Sequence, residues 1–162
     1  MNTETIDRII ALIKREVVPA IGCTEPAAVS LCVARACETL GTLPESIDVL
    51  LSGNMIKNAM GVGIPGTGMI GLPIAIALGA IVGKSEYGLE VLRDVNPEAL
   101  EKGKKYIDEK RIHVGHFQNP PSNLYVDVTV KADGHTAHAV ISGAHTQFVL
   151  VEHDGEKLFE FI

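Results

Sequence analysis

The chain has 162 residues, enough for one ordinary hydrophobic core, and a formal charge of −6 from 14 Lys and Arg against 20 Asp and Glu. This acidic balance, without any Lys/Arg run, excludes the cationic footprint that nucleic acid or an anionic membrane requires, and leaves small molecules or proteins as partners. The polar start Met1-Asn2-Thr3-Glu4-Thr5 lacks the basic-then-apolar layout of a secretory signal, and three cysteines cannot all pair, so a cytoplasmic protein with free thiols is expected.

Ile6, Ile9, Ile10, Leu12, Ile13 and Val17 recur near helical spacing with Arg8, Lys14 and Arg15 between them, which predicts an amphipathic helix ending near Pro19. Gly22 permits a tight entry to a second helix, capped by Thr24 or Glu25 and carrying Pro26 in its first turn. That helix runs to about Leu40, is apolar nearly all round and should be enclosed, and Gly41 stops it. Ile47 to Leu51 reads as a short strand, and Ser52-Gly53-Asn54 supplies the turn and N-cap for a helix over Met55 to Met60.

The apolar stretch from Ala59 to Gly83 has the length of a transmembrane span. Six glycines between Gly61 and Gly79, with Pro65 and Pro73 among them, would leave unpaired backbone groups in lipid. A buried loop leading into a helix over Leu72 to Val82 is predicted instead. A more polar helix follows from Pro97 to Lys110, opened by Asn96.

From residue 111 the period changes to two. Leu124, Val126, Val128 and Val130 alternate with polar neighbours, and Asp133-Gly134 turns the chain into His135 to Ile141. Gln147 to His153 and Glu156 to Ile162 repeat the pattern around Asp154-Gly155, and Ile112 to Phe117 adds a candidate strand. The order predicts an α+β fold, with an N-terminal helical part holding one short strand and an antiparallel β-meander after it. Residues 1–162 read as a single domain, about 1–110 mainly helical and 111–162 meander, with Gln118 to Ser122 between the parts.

Cys23 is the first chemical candidate. A thiol beside unpaired helix N–H groups feels the positive end of the helix dipole, which favours the thiolate that attacks or binds metal; the competing reading is a small packing residue. Cys32 and Cys37, inside an apolar helix and without a C-x-x-C pair, read as core. Ser52, Asn54, Lys57 and Asn58 gather a cap, an amide and a cation at a helix start, suited to a carboxylate or, equally, to an ordinary cap with a solvated lysine. Gly61 to Gly66 spells G-x-G-x-x-G, but no hydrophobic strand precedes it and Pro65 interrupts it, so a dinucleotide site is not expected. His135, His138 and His145 raise zinc, yet His135 and His138 face opposite sides of one strand, and polar sheet-face roles are expected.

Taken together, Gly22-Cys23-Thr24-Glu25-Pro26, Ser52 to Asn58 and Gly61 to Gly68 in that order, with Asn123-Leu124-Tyr125-Val126 and His145-Thr146 further on, resemble the N-terminal part of the L-cysteine desulfidase family, related to the α region of iron–sulfur L-serine dehydratases. The resemblance covers most of the chain. It implies a [4Fe-4S] lyase that removes the β-substituent of L-cysteine or L-serine, giving pyruvate, ammonia and, from cysteine, sulfide. Cys23 then matches a cluster ligand or a thiolate base, and Ser52, Asn54, Lys57 and Asn58 match positions for the substrate carboxylate, with Lys57 beside Cys23 among the catalytic candidates. Members of that family are longer and carry further cluster cysteines in a C-terminal region, so this chain reads as a fragment, inactive alone and holding no cluster by itself. The expected partners are the amino acid substrate and the missing C-terminal domain or subunit, and exposed apolar surface makes a homodimer a further expectation. The reading from another class is a non-catalytic domain that binds amino acids or joins subunits.

Overall fold

A computed structural model describes residues 25–60, 63–64 and 69–161. The helix expected over residues 6 to 18 and Cys23 itself lie outside them.

Helix α1 (Glu25–Leu40) carries Pro26 in its first turn, where the missing N–H breaks no intrahelical bond, and Gly41 ends it at φ 89° while its N–H donates to the Cys37 carbonyl at 2.9 Å. Strand β1 (Ser46–Leu51) leads into α2 (Gly53–Met60), and the short strands β2 (Gly63–Ile64) and β3 (Met69–Ile70) pair antiparallel before α3 (Gly71–Ile81). A 3-10 helix over Ser85–Glu90 follows. Helix α4 (Pro97–Asp108) is capped by Asn96, whose Oδ1 accepts the Ala99 N–H at 2.8 Å. Strands β4 (Ile112–His116), β5 (Tyr125–Ala132), β6 (His135–Ser142), β7 (Phe148–His153) and β8 (Glu156–Glu160) complete the described chain.

The fold is α+β, a helical part followed by a six-stranded, mostly antiparallel sheet in the order β4-β1-β5-β6-β7-β8. The β5–β6 and β7–β8 turns place Asp133 and Gly134 at φ 52° and 79°, and Asp154 and Gly155 at φ 51° and 84°, the all-positive geometry that Asp-Gly hairpins favour. The meander was legible, but its edge was not. β4 pairs with β1 in parallel, Ile47 opposite Ile112 and Leu51 opposite His116, so the helical segment α2 to α4 forms the crossover that a parallel pair requires.

Helix α1 is enclosed because it packs between β5, β6 and β7 on one side and α3 on the other. Its small side chains make this possible. A Cβ on Gly79 of α3 would lie 2.8 Å from the Ser30 carbonyl oxygen, and the Ser30 hydroxyl donates to the Ala75 carbonyl at 2.8 Å, so the two helices touch backbone to backbone. Gly103 of α4 similarly admits Ile74 and Leu78. The sheet presents Val126, Val128, Val130, Ala137, Ala139 and Ile141 to α1, all fully buried, with Ile47, Val49 and Leu51 continuing that core from β1. Burial of Leu72 and Ile74 to Leu78 of α3 in this core accounts for the second half of the apolar stretch. Among the described residues, no helix is long and apolar enough to cross a membrane.

Candidate functional site

Five chain segments converge at one end of the sheet, where β1 and β4 finish, β5 begins, and β6 turns into β7. Ser52 sits at the centre of this end. Its backbone N–H donates to the Tyr125 carbonyl at 3.1 Å, its hydroxyl donates to the Asn123 carbonyl at 2.5 Å, and the same oxygen accepts the Met55 N–H at 3.3 Å. Ser52 is therefore the N-cap of α2, and it is buried, whereas Asn54 and Lys57 one turn on are exposed. Asn58 belongs to the same helix, with its side chain outside the described part. The turn that the sequence assigned to Ser52-Gly53-Asn54 is thus made by Ser52, which frees the Asn54 amide and the Lys57 ammonium to face solvent at the helix start.

A residue that the sequence reading passed over also stands here. A Cβ on Gly53 would lie 3.3 Å from His116 Nε2, so the imidazole stands against the first residue of α2, which is otherwise exposed. Gln118 Nε2 lies 3.3 Å from His116 Nδ1 and holds the ring in place. Only the parallel register of Leu51 with His116 brings this side chain to the cap, and that pairing has no local signal. The 117–125 segment is anchored to the same end by the Phe117 N–H on the Leu51 carbonyl at 2.8 Å and by the Phe117 and Tyr125 rings, 4.5 Å between centroids.

The neighbouring loop extends the constellation to α1. The Gly143 N–H donates to the Leu124 carbonyl at 3.0 Å, and His145 Nε2 lies 3.6 Å from Glu25 Oε1 in the first turn of α1. A carboxylate at this position also complements the helix dipole. Glu25, Ser52, Asn123 to Tyr125 and His145, spread over 120 residues of sequence, are therefore linked through one end of the fold.

The remaining cysteines do not share in it. Cys32 is fully buried, with its thiol 3.2 Å from the Ala139 carbonyl oxygen, and burial together with nearby Asp127 pushes its pKa well above the ordinary value. Burial, with Glu38 adding to it, pushes the Cys37 thiol up to about 12. Clusters take thiolate ligands, so Cys32 and Cys37 do not fit an iron–sulfur cluster, and among the described residues no other cysteine offers one. Of the Gly61 to Gly68 loop only Gly63 and Ile64 are described, paired with Ile70 and Met69.

The histidines divide as the strand period predicts. His138 lies on the sheet face away from α1, its Nε2 2.7 Å from Asp127 Oδ1 and its Nδ1 2.9 Å from Glu152 Oε1. The hydrogen bond to Asp127 and that to Glu152 outweigh burial and raise its pKa to about 9, so the ring is an imidazolium at neutral pH. His135 joins His153 and Asp154 at the β7–β8 turn, with donor atoms within 4.8 Å of one another. Asp154 is already held there by the Thr136 N–H at 2.8 Å and by His135 at 2.7 Å, which explains the group as a turn clamp.

No family model and no solved structure matches the chain. It is similar to UPF0597 proteins from several bacteria. The chain is 65% identical over 151 residues to one from Bacteroides fragilis, 48% over 160 residues to one from Porphyromonas gingivalis and 46% over 149 residues to one from Aeromonas hydrophila. These matches cover 93%, 99% and 92% of this chain but 35%, 37% and 34% of those proteins, so the chain spans about a third of the length of the curated relatives it matches.

Proposed function

We propose that the chain is the substrate-anchoring part of a larger cytoplasmic amino acid lyase, which eliminates the β-substituent of L-cysteine or L-serine. The observation that supports this reading is the gathering of Glu25, Ser52 to Lys57, Asn123 to Tyr125 and His145 at one end of the sheet, since these are the segments that carry the resemblance to the desulfidase and dehydratase family. The relatives are about three times as long as the matched part, which leaves room for the remainder of such an active site.

In this reading the substrate carboxylate lies at the start of α2, against its free N–H groups and the Lys57 ammonium, with the Asn54 amide beside it. Asn58 is the further residue proposed to hold it. A base takes the α-proton, the Cβ–S or Cβ–O bond breaks, and sulfide or water leaves. The resulting aminoacrylate takes up water to give pyruvate and ammonia. Cys23 is the proposed base or cluster ligand from this chain. The other cluster thiolates would have to come from outside the described residues, because Cys32 and Cys37 do not fit.

The test is anaerobic reconstitution of the complete reading frame with iron and sulfide, followed by assay of pyruvate from L-cysteine and L-serine. Turnover is expected, with Lys57→Gln raising KM about tenfold through loss of a charged hydrogen bond. A cluster-loaded protein that makes no pyruvate, beside a control lyase that does, defeats the reading. Tight amino acid binding by the iron-free fragment at the Ser52 end, unchanged by Cys23→Ser, would favour the non-catalytic binding domain instead.

A further inference from the structure

A groove of about 420 Å³ runs between α1, the 3-10 helix and the β7–β8 hairpin, a volume within the range of roughly 300–1,000 Å³ typical of small-molecule sites. None of its walls includes Ser52, Asn54 or Lys57. Leu31, Phe148, Val151 and Phe159 form an apolar side, and Arg35 and Glu86 supply one charge of each sign.

Arg35 stands out against its helix. Along Pro26 to Cys37 every other residue of α1 is buried, and Arg35, half-buried, lines the groove beside Leu31. Among the described residues it makes no hydrogen bond or ion pair. The nearest carboxylate on its own helix, Glu38, is engaged elsewhere: it accepts the Ser85 N–H at 2.8 Å and the Ser85 hydroxyl at 2.5 Å, fixing the 3-10 helix to α1. Glu86, next in sequence, is therefore carried to the groove on a segment that is already tied down. Gly88, at φ 58° and ψ −130°, bends that segment and leaves a wall without a side chain. Across the groove Phe159, paired with Val151, is 43% exposed on β8, a large apolar ring partly open to solvent.

We propose that this groove binds a zwitterionic α-amino acid with an apolar side chain, its carboxylate on Arg35, its ammonium on Glu86 and its side chain against Leu31, Phe148, Val151 and Phe159. A guanidinium offers a planar fork of donors matched to a carboxylate, and a lone cation in a partly apolar setting gains most from a ligand that brings its counter-charge. A simple fatty acid would satisfy Arg35 but bring no counter-charge to Glu86. A simple amine would do the reverse. The site is independent of the lyase reading, because occupancy requires no turnover and uses other residues.

Calorimetry on this chain with L-leucine, 4-methylpentanoate and 3-methylbutylamine tests it. L-leucine is expected to bind saturably, and the two analogues, each lacking one charged group, about tenfold more weakly or worse. Arg35→Gln and Glu86→Gln are each expected to weaken L-leucine about tenfold without moving the thermal midpoint by more than a few degrees, and Arg35→Lys to fall between. Absence of saturable heat at millimolar L-leucine overturns the proposal. So does 4-methylpentanoate binding as tightly as L-leucine, wild-type affinity in Arg35→Gln, or loss of binding in Lys57→Gln alone, which would move the ligand to the α2 end.

Discussion

His138 on β6 reaches Asp127 on β5, Nε2 to Oδ1 at 2.7 Å, while its other nitrogen meets Glu152 on β7, so one imidazolium joins three adjacent strands. Because its pKa is raised from 6.5 to about 9 in the folded state, its contribution to stability is fully present below the unfolded pKa of 6.5 and is lost as pH rises through about 9. The side chain is 28% exposed, so solvent screening lowers the effect to on the order of 1–2 kcal/mol. His138→Gln is expected to cost that much in urea unfolding at pH 6 and much less at pH 10. An equal loss at both pH values would show that packing, not charge, sets the effect.

Gly79 sets the distance between α1 and α3. Gly79→Ala places a methyl group 2.8 Å from backbone that cannot swing away, and the expected loss is about 2–3 kcal/mol by overpacking. Gly41→Ala is the useful contrast. There a Cβ meets nothing within 4 Å, and only the left-handed φ of 89° is unfavourable, so about 1 kcal/mol is expected. Thermal unfolding of the two variants side by side checks the ranking.

Cys32 and Cys37 are expected to resist alkylation in the native state, their thiolates being suppressed by burial. Their labelling by iodoacetamide at pH 7.5 should track global unfolding, with the same urea midpoint as the circular dichroism signal. Mass spectrometry of the labelled peptides separates them from Cys23. Rapid native labelling of Cys32 would contradict its enclosure.

Ser52→Ala removes the N-cap of α2 and the bond to Asn123 together. A loss of about 1–2 kcal/mol is expected, with faster amide exchange in α2 than in α4, whose Asn96 cap is untouched. Uniform acceleration in both helices would argue against a local role.

What could be read from the sequence followed the range of the interactions. The enclosed helix ending at Gly41, the Asn96 cap and the two Asp-Gly hairpins are written in residues close along the chain, and each appears within a residue or two of its expected place. The parallel pairing of β1 with β4, which brings His116 over Gly53, depends on a crossover of some sixty residues and leaves no periodic trace. The 3-10 helix at Ser85 was equally silent, because it is held by Glu38 from another helix rather than by its own pattern. At the candidate site, Ser52 was recognisable as a cap by its residue type, but its ties to Asn123 and Tyr125, and that of Glu25 to His145, arise only from the fold.

The enclosure of α1 has a consequence for how the chain is made. Cys32 touches the Ala139 carbonyl, 107 residues later in synthesis, and α1 as a whole packs on β5, β6 and β7, which follow it by some ninety residues or more. At about 5–20 residues per second, this apolar helix emerges from the ribosome several seconds before its sheet exists. During that interval α1 is a natural target for a holding chaperone, and a nascent chain stalled before β6 would present it to its neighbours as an aggregation seed.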